Sequence, residues 1–380
     1  MEVPMLDLSR QYASLRRDVL AAVTRVCDSQ HYILGEEVKA FEREFAGLCD
    51  TRHAAGCASG TDALWLALAA AGIAPGDEVI ATAFSFFATA SCIVRAGARP
   101  VFVDIDPETL NLDPAKVEHR LKSSHSRTRA VLPVHLYGQC ADMASFAHLG
   151  AEYKVVVIED AAQAVGATWE GKKAGSMGAA ATFSFYPTKN LSAFGDAGAV
   201  TTDDSSLLDR MVSLRDHGSR KRYYHEEIGA NSRLDAIQAA VLRVKLPHLP
   251  QWNSDRRERA RVYDRLFANS GLLKTGAASS APLTLLKTRP EAGHIYHQYV
   301  VRVKKRDQLK AFLGNRGIGT QIYYPVPLHL QECFAYLGYA PGDLPETEAA
   351  AAEVLALPMF AELREEEQQY VVEAIAEFYS

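Results

Sequence analysis

The chain has 380 residues, 48% of them apolar and 23% charged, and a formal net charge of −5. That length can bury a sizeable core and is expected to divide into more than one domain. The charge argues against a protein that holds nucleic acid by bulk attraction to phosphate. Without a signal-type segment at Met1 or a long uncharged span, no membrane partner and a cytoplasmic location are expected.

The six cysteines (Cys27, Cys49, Cys57, Cys92, Cys140 and Cys333) are scattered and form no C-x-x-C pair. They read as buried, reduced thiols, with no metal site. From Tyr12 to about Ser29, the apolar residues Leu15, Val19, Ala22, Val23 and Val26 have helical spacing. His31-Tyr32-Ile33-Leu34-Gly35 breaks that helix, and a second amphipathic segment spans Glu36–Cys49.

Leu64, Leu68 and Ala71 share one face of a helix that starts near Thr61, so Ser59, Gly60 and Thr61 lie at its N-terminus. Unpaired N–H groups and the positive dipole end suit that place to a phosphate, although an ordinary N-cap has the same sequence. Gly72 stops the helix, Pro75-Gly76-Asp77 turns the chain, and Glu78–Ala81 is a short strand followed by Phe84-Ser85-Phe86-Phe87. Those phenylalanines are core, or one of them covers a flat ligand at the strand's end.

Strands and helices then alternate. Strands are expected at Arg99–Val103, Ala130–Val134, Val155–Ile158, Ala181–Phe185 and Ala199–Thr202, with helices at Pro114–Leu121, Ala141–Tyr153 and Leu207–Arg215. Continuous apolar strands of this kind belong to a mostly parallel sheet flanked by helices, an α/β architecture. Ligands of such sheets sit beyond the carboxyl ends of the strands. Asp160 follows one strand end, where it would also serve as an N-cap, and Lys189 follows another. A lysine that gives up a proton to attack a carbonyl, with an acid on the same sheet edge, is the pair that a pyridoxal phosphate enzyme requires. Neither G-x-x-x-x-G-K-S/T nor a strand-borne G-x-G-x-x-G occurs.

Gly218–Tyr224 reads as an exposed basic and aromatic loop, and Asn231-Ser232 caps a helix carrying Leu234, Ile237, Val241 and Val244. Pro247 and Pro250 end or bend that helix, and Trp252–Phe267 is a long charged helix. The stretch 276–282 is turn-rich. Ile295–Val303 is a strand, Arg306–Asn315 a helix, Gly319–Tyr324 a strand cut short by Pro325-Val326-Pro327, and Tyr370–Phe378 a final helix. The expected division is a large domain over 1–250, N-terminal segment included, and a smaller C-terminal α/β domain over 251–380.

Six stretches in this order carry a family resemblance. They are Tyr32-Ile33-Leu34-Gly35, Ser59-Gly60-Thr61-Asp62-Ala63-Leu64, Pro75-Gly76-Asp77-Glu78-Val79-Ile80, Glu159-Asp160-Ala161-Ala162-Gln163, Ser184-Phe185-Tyr186-Pro187-Thr188-Lys189-Asn190 and Asn231-Ser232-Arg233-Leu234-Asp235. The chain resembles, over nearly all its length, sugar-nucleotide aminotransferases of the DegT type, which have the fold type I architecture of pyridoxal phosphate enzymes.

The resemblance implies that Lys189 holds pyridoxal phosphate covalently and shuttles the substrate proton once freed. It implies that Asp160 pairs with the pyridine nitrogen, Gln163 bonds the ring oxygen and Phe86 stacks on the ring, where the family more often has Tyr or Trp. Gly60, Thr61 and Ser184 would hold the phosphate. Asn231 would reach the phosphate of a neighbouring subunit, which makes the active unit a homodimer with its sites at the interface. Lysine at 189, where sugar-dehydrating relatives carry His, points to amino transfer from L-glutamate to a keto-sugar on a nucleoside diphosphate. The wording of His135-Leu136-Tyr137-Gly138 and Tyr324-Pro325-Val326-Pro327-Leu328-His329 favours a 3-keto-6-deoxyhexose, giving a 3-amino sugar, over a 4-keto sugar. Tyr32, Tyr186, Arg220, Tyr223, Tyr324 and His329 are candidate substrate contacts. The other readings are a regulatory relative without catalysis and a different pyridoxal enzyme, such as a lyase or an amino-acid aminotransferase. The latter would need an arginine for the substrate carboxylate, and Arg302 and Arg316 lie in no recognisable motif for one.

Overall fold

The computed structural model describes residues 1–124, 127–273 and 281–380. The turn-rich stretch foreseen over 276–282 lies outside the described residues as far as residue 280.

A seven-stranded sheet organises the chain. Its strands run in the order His53–Cys57, Gly198–Thr202, Ala180–Ser184, Val156–Asp160, Thr128–Leu132, Glu78–Thr82 and Arg99–Val103. The last five are mutually parallel, whereas Gly198–Thr202 pairs antiparallel with both of its neighbours. Only that strand is therefore reversed, and the carboxyl ends of the other six face one edge. Cys57, Asp160 and Ser184 end their strands on that edge. The central strands are apolar and buried along almost their whole length, because helices cover both faces.

Local chemistry sets the helix bounds. Asp7 caps the first helix through the N–H of Ser9, so it begins at Leu8, ahead of the apolar pattern that starts at Leu15. Pro250 lies in the first turn of the long helix Leu249–Asn269, where its missing N–H has no intrahelical partner to lose. Four phenylalanines lock the strand that leads to Lys189. Phe45 meets Phe183 at 4.9 Å and Phe185 at 5.2 Å edge-on, and Phe41 meets Phe185 at 5.5 Å. Each such pair contributes about 0.5–1.5 kcal/mol beyond the area it buries.

A second core joins Tyr263, Phe267, Tyr299, Val301, Leu355 and Ile375 with Val3 from the start of the chain. Its sheet has the order Leu283–Leu285, Tyr299–Val303, Val354–Leu357, all antiparallel. The strand expected at Gly319–Tyr324 does not form. Val354–Leu357 takes the place beside Tyr299–Val303 and leaves Gln321 a single bridge to Ala356. The cysteines are free, but Cys333 is exposed and Cys27 half-buried, which corrects the expectation that all six are buried. Among the described residues no helix is long and apolar enough to cross a membrane, and no cluster of His, Cys, Asp and Glu is arranged to hold a metal ion.

Candidate active site

Two acids end the strand Val156–Asp160, and the alternation of a strand sends them to opposite faces. Glu159 is fully buried and accepts from the N–H groups of Gly175 (3.0 Å), Met177 (2.8 Å) and Gly178 (2.7 Å). Nε2 of His135 lies 2.9 Å from its second oxygen. Because Nδ1 of that ring accepts from the N–H of Ala141, the proton is on Nε2 and is donated to Glu159. Glu159 is therefore a structural acid that holds the 175–178 loop.

Asp160 faces the open edge. Its Oδ2 accepts from the hydroxyl of Thr89 at 2.8 Å, and its Oδ1 accepts from the N–H of Ala162 at 3.3 Å. Burial raises its pKa, opposed first by the Thr89 hydroxyl and also by the charge of Lys189. Lys189 is half-buried, and burial draws its amine down to about 8 against the upward pull of Asp160. The two charges thus sense each other across the same edge.

The residue after the lysine is anchored. Asn190 donates through Nδ2 to Oδ1 of Asn253 at 2.8 Å, so its own Oδ1 accepts from Nδ1 of His297 at 3.0 Å. Asn253 in turn donates to the carbonyl of Val165. Burial holds His297 neutral, with its pKa well below the usual histidine range, and the neighbouring Lys189 adds to that. The backbone N–H of Lys189 closes a turn onto the carbonyl of Tyr186 at 2.8 Å.

The third part is the N-terminus of the helix Gly60–Ala70. The side chain of Ser59 accepts the N–H of Asp62, and its carbonyl accepts the N–H of Ala63. The packing around this turn is too tight for side chains. A β-carbon on Gly60 would lie 2.6 Å from the Ser184 β-carbon, and one on Gly198 would lie 2.4 Å from the Ser59 carbonyl. Gly60 is thus seated directly against Ser184, and Thr61 follows it in the first turn of the helix. Ser232 donates to Asp62 in the same helical turn, at 2.9 Å, while the adjacent Asn231 is exposed.

Gln163 is held by an unforeseen partner. The backbone N–H of Tyr137 donates to its Oε1 at 2.7 Å, which turns Nε2 outward, where it donates to the hydroxyl of Tyr324 at 2.9 Å. The Tyr324 ring lies 6.3 Å from that of Phe86, which is 58% exposed. Tyr324 therefore joins the cofactor candidates Gln163 and Phe86, and Tyr186 lies beside Lys189.

The remaining candidates stand apart from this cluster within one chain. No hydrogen bond, ion pair or ring contact of the described residues links it to Tyr32, Arg220, Tyr223, Asn231 or His329. Tyr32 accepts from Gln30, and Arg220 faces Glu226 at 3.6 Å on the hairpin Ser219–His225. His329 is buried, with Nε2 3.2 Å from Glu348, a packing position. The two arginines weighed for an amino-acid carboxylate are both paired, Arg302 with Glu353 at 2.8 Å and Arg316 with Glu377.

Sequence reasoning missed Thr89, Tyr137 and His297. Each acts on a partner far away in the chain; Thr89 lies three residues after Phe86, and Tyr137 lies within His135-Leu136-Tyr137-Gly138, a stretch singled out for the substrate and not for Gln163.

The sequence profile of the DegT/DnrJ/EryC1/StrS aminotransferase family matches residues 13–376. The chain is 52% identical over 382 residues to a protein of Geobacillus stearothermophilus named pleiotropic regulatory protein, covering 100% of this chain and 99% of that one. It is 44% identical over 378 residues to dTDP-3-amino-3,4,6-trideoxy-alpha-D-glucose transaminase of Streptomyces venezuelae, covering 99% and 96%. Its fold is similar to the crystal structure of S. venezuelae DesV in complex with a ketimine intermediate. The TM-score is 0.93 at 43% identity, with 99% of this chain and 98% of that one covered.

Proposed function

The chain belongs to the DegT/DnrJ/EryC1/StrS aminotransferase family, and from that premise we propose that it moves an amino group from L-glutamate to a keto-sugar carried on a nucleoside diphosphate. The single observation that carries this reading is Lys189, its amine drawn down to about 8, facing the buried Asp160 on one sheet edge. The cofactor is pyridoxal phosphate, and three features support its fit: the helix start at Gly60 seated against Ser184, the exposed face of Phe86, and the outward Nε2 of Gln163.

When bound, that cofactor supplies an electron sink for the carbanion formed next to the amino group. The protein's residues do the rest. The N–H groups of Gly60 and Thr61, left over by the Ser59 cap, would donate to the phosphate at the positive end of the helix, and Ser184 would add a hydroxyl. Asp160 would keep a proton on the pyridine nitrogen, since an adjacent anion favours the charged ring. Lys189 would hold the cofactor through its amine and, when free, would move a proton as a base that burial draws down to about 8. Phe86 would cover one face of the ring and limit the access of water to it.

The acceptor is a 3-keto-6-deoxyhexose, which gives a 3-amino sugar. The name of the S. venezuelae relative supports this over a 4-keto sugar. The active unit is a homodimer. Tyr32, Tyr186 and Tyr223, exposed by 38%, 52% and 78%, and the exposed Arg220 are assigned to the nucleotide-sugar, and the exposed Asn231 to the cofactor phosphate of a neighbouring subunit. The division of the chain near residue 250 into a cofactor-binding and a smaller domain, and a cytoplasmic location, belong to the same proposal.

The name of the Geobacillus relative favours one second reading, a regulatory protein that keeps the fold. Incubation of the cofactor-loaded protein with L-glutamate separates the two. An aminotransferase bleaches the visible absorbance of the lysine-bound cofactor, then converts 3-keto nucleotide sugars to amino products identified by NMR. Unchanged absorbance with glutamate would overturn the enzyme reading.

A further inference from the structure

On the reading that Asp160 meets the cofactor's ring nitrogen, we infer that Thr89 is a positioning residue that sets the charge of that pair. The helix Ala88–Arg95 begins directly behind the ring-covering Phe86, and the N–H of Thr89 bonds the Phe86 carbonyl at 3.1 Å. One turn of chain therefore carries both the face of the site and the hydroxyl under its acid. Thr89 is 1% exposed and Ser85 4%, so water does not compete for these groups.

The polarity of the hydroxyl chain follows from the valences. A carboxylate only accepts, so Thr89 donates to Oδ2 of Asp160 at 2.8 Å. With its proton committed, Thr89 accepts from Ser85, whose oxygen lies 2.8 Å away. The chain Ser85 to Thr89 to Asp160 thus runs in one direction while Asp160 is ionised. A proton on Oδ2 would weaken it as the acceptor for Thr89 and, if donated to Thr89, would turn both hydroxyls over. The arrangement does two things. It occupies Oδ2, which leaves Oδ1, held only by the longer 3.3 Å bond from Ala162, as the oxygen presented to the ring. It also stabilises the carboxylate form in a buried place that otherwise favours the neutral acid.

Removing the hydroxyl makes Asp160 a stronger base than in the wild type, so the shared proton moves from the ring nitrogen toward the carboxyl. The test uses full-length protein loaded with pyridoxal phosphate carrying 15N in the ring, whose 15N shift reads the protonation of that nitrogen. In Thr89→Val the shift moves toward that of a neutral pyridine, while Thr89→Ser keeps the wild-type value. Ser85→Ala gives a smaller move in the same direction, because it acts only through Thr89. Thr89→Ala, which adds no volume, repeats the measurement if the valine variant folds poorly. A wild-type 15N shift in Thr89→Val or Thr89→Ala would overturn the inference. Failure of the wild-type protein to take up the cofactor would instead overturn the functional reading on which it rests.

Discussion

Gly60 lies against Ser184 so closely that an added β-carbon would stand 2.6 Å from the serine β-carbon. Two strand ends and a helix start meet there, and the missing side chain lets them. Gly60→Ala is expected to push the helix start away from the strand, with a loss of about 1–3 kcal/mol in urea unfolding. It should also weaken pyridoxal phosphate binding in an absorbance titration, because the N–H groups of the first turn move with the helix. Wild-type values for both would show that the helix start tolerates a methyl group.

The adjacent acids Glu159 and Asp160 should respond in opposite ways to amide substitution. Glu159→Gln sets an NH2 group among donors that include three backbone N–H groups and the His135 ring, so a loss of about 2–4 kcal/mol is expected. Asp160→Asn keeps an acceptor for Thr89 and removes a buried charge. The folded-state pKa of Asp160 is raised, so the ionised acid opposes folding as pH rises through that range. Stability at pH 7 should then equal or exceed the wild type, while turnover falls roughly a hundredfold or more. Chemical denaturation and steady-state rates on the two variants check this, and a large stability loss in Asp160→Asn would contradict it.

Lys189 should show its environment as a pH profile. With an amine drawn down to about 8, the cofactor-free protein should capture pyridoxal phosphate at a rate that rises with pH and is half-maximal near 8. A free lysine would place that midpoint near 10.4. The sign for stability follows from proton counts. Between about 8 and the usual lysine value the unfolded chain binds more protons at this position than the folded one, so the contribution of Lys189 to stability rises with pH there. The difference in unfolding free energy between wild type and Lys189→Met should therefore grow across that window. A flat difference would contradict the buried, proton-poor amine.

Asn190 ties the lysine turn to His297 at 3.0 Å and Asn253 at 2.8 Å. Asn190→Ala strands a buried ring N–H and a buried amide oxygen, a loss of about 1–3 kcal/mol. The lysine turn loosens, so kcat should fall while KM for the keto-sugar stays nearly unchanged. Unaltered kcat in a variant with that stability loss would confine the network to a structural role.

Much of the architecture is legible in the chain because it rests on local rules. Apolar runs that alternate with amphipathic segments lead to a sheet covered on both faces, and Ser59 ahead of Leu64 and Leu68 leads to a helix start. Lys189 and Asp160 stand out because each follows an apolar strand. The strand Val354–Leu357 escaped because its pairing partner, Tyr299–Val303, lies more than fifty residues earlier. The stretch Gly319–Tyr324 looked like a strand because a local pattern cannot tell which of two segments takes an edge.

The sequence by itself determined the strand-end residues of the site, since a strand that stops puts its last side chains on the sheet's edge whatever else the chain does. Only the tertiary structure decided that Glu159 turns inward to hold the 175–178 loop, that Thr89 donates to Asp160, and that Tyr137 turns the amide of Gln163 outward. Those outcomes depend on hydrogen bonds between residues remote in sequence. Burial makes such bonds obligatory, but nothing in the local pattern says which partner will supply them.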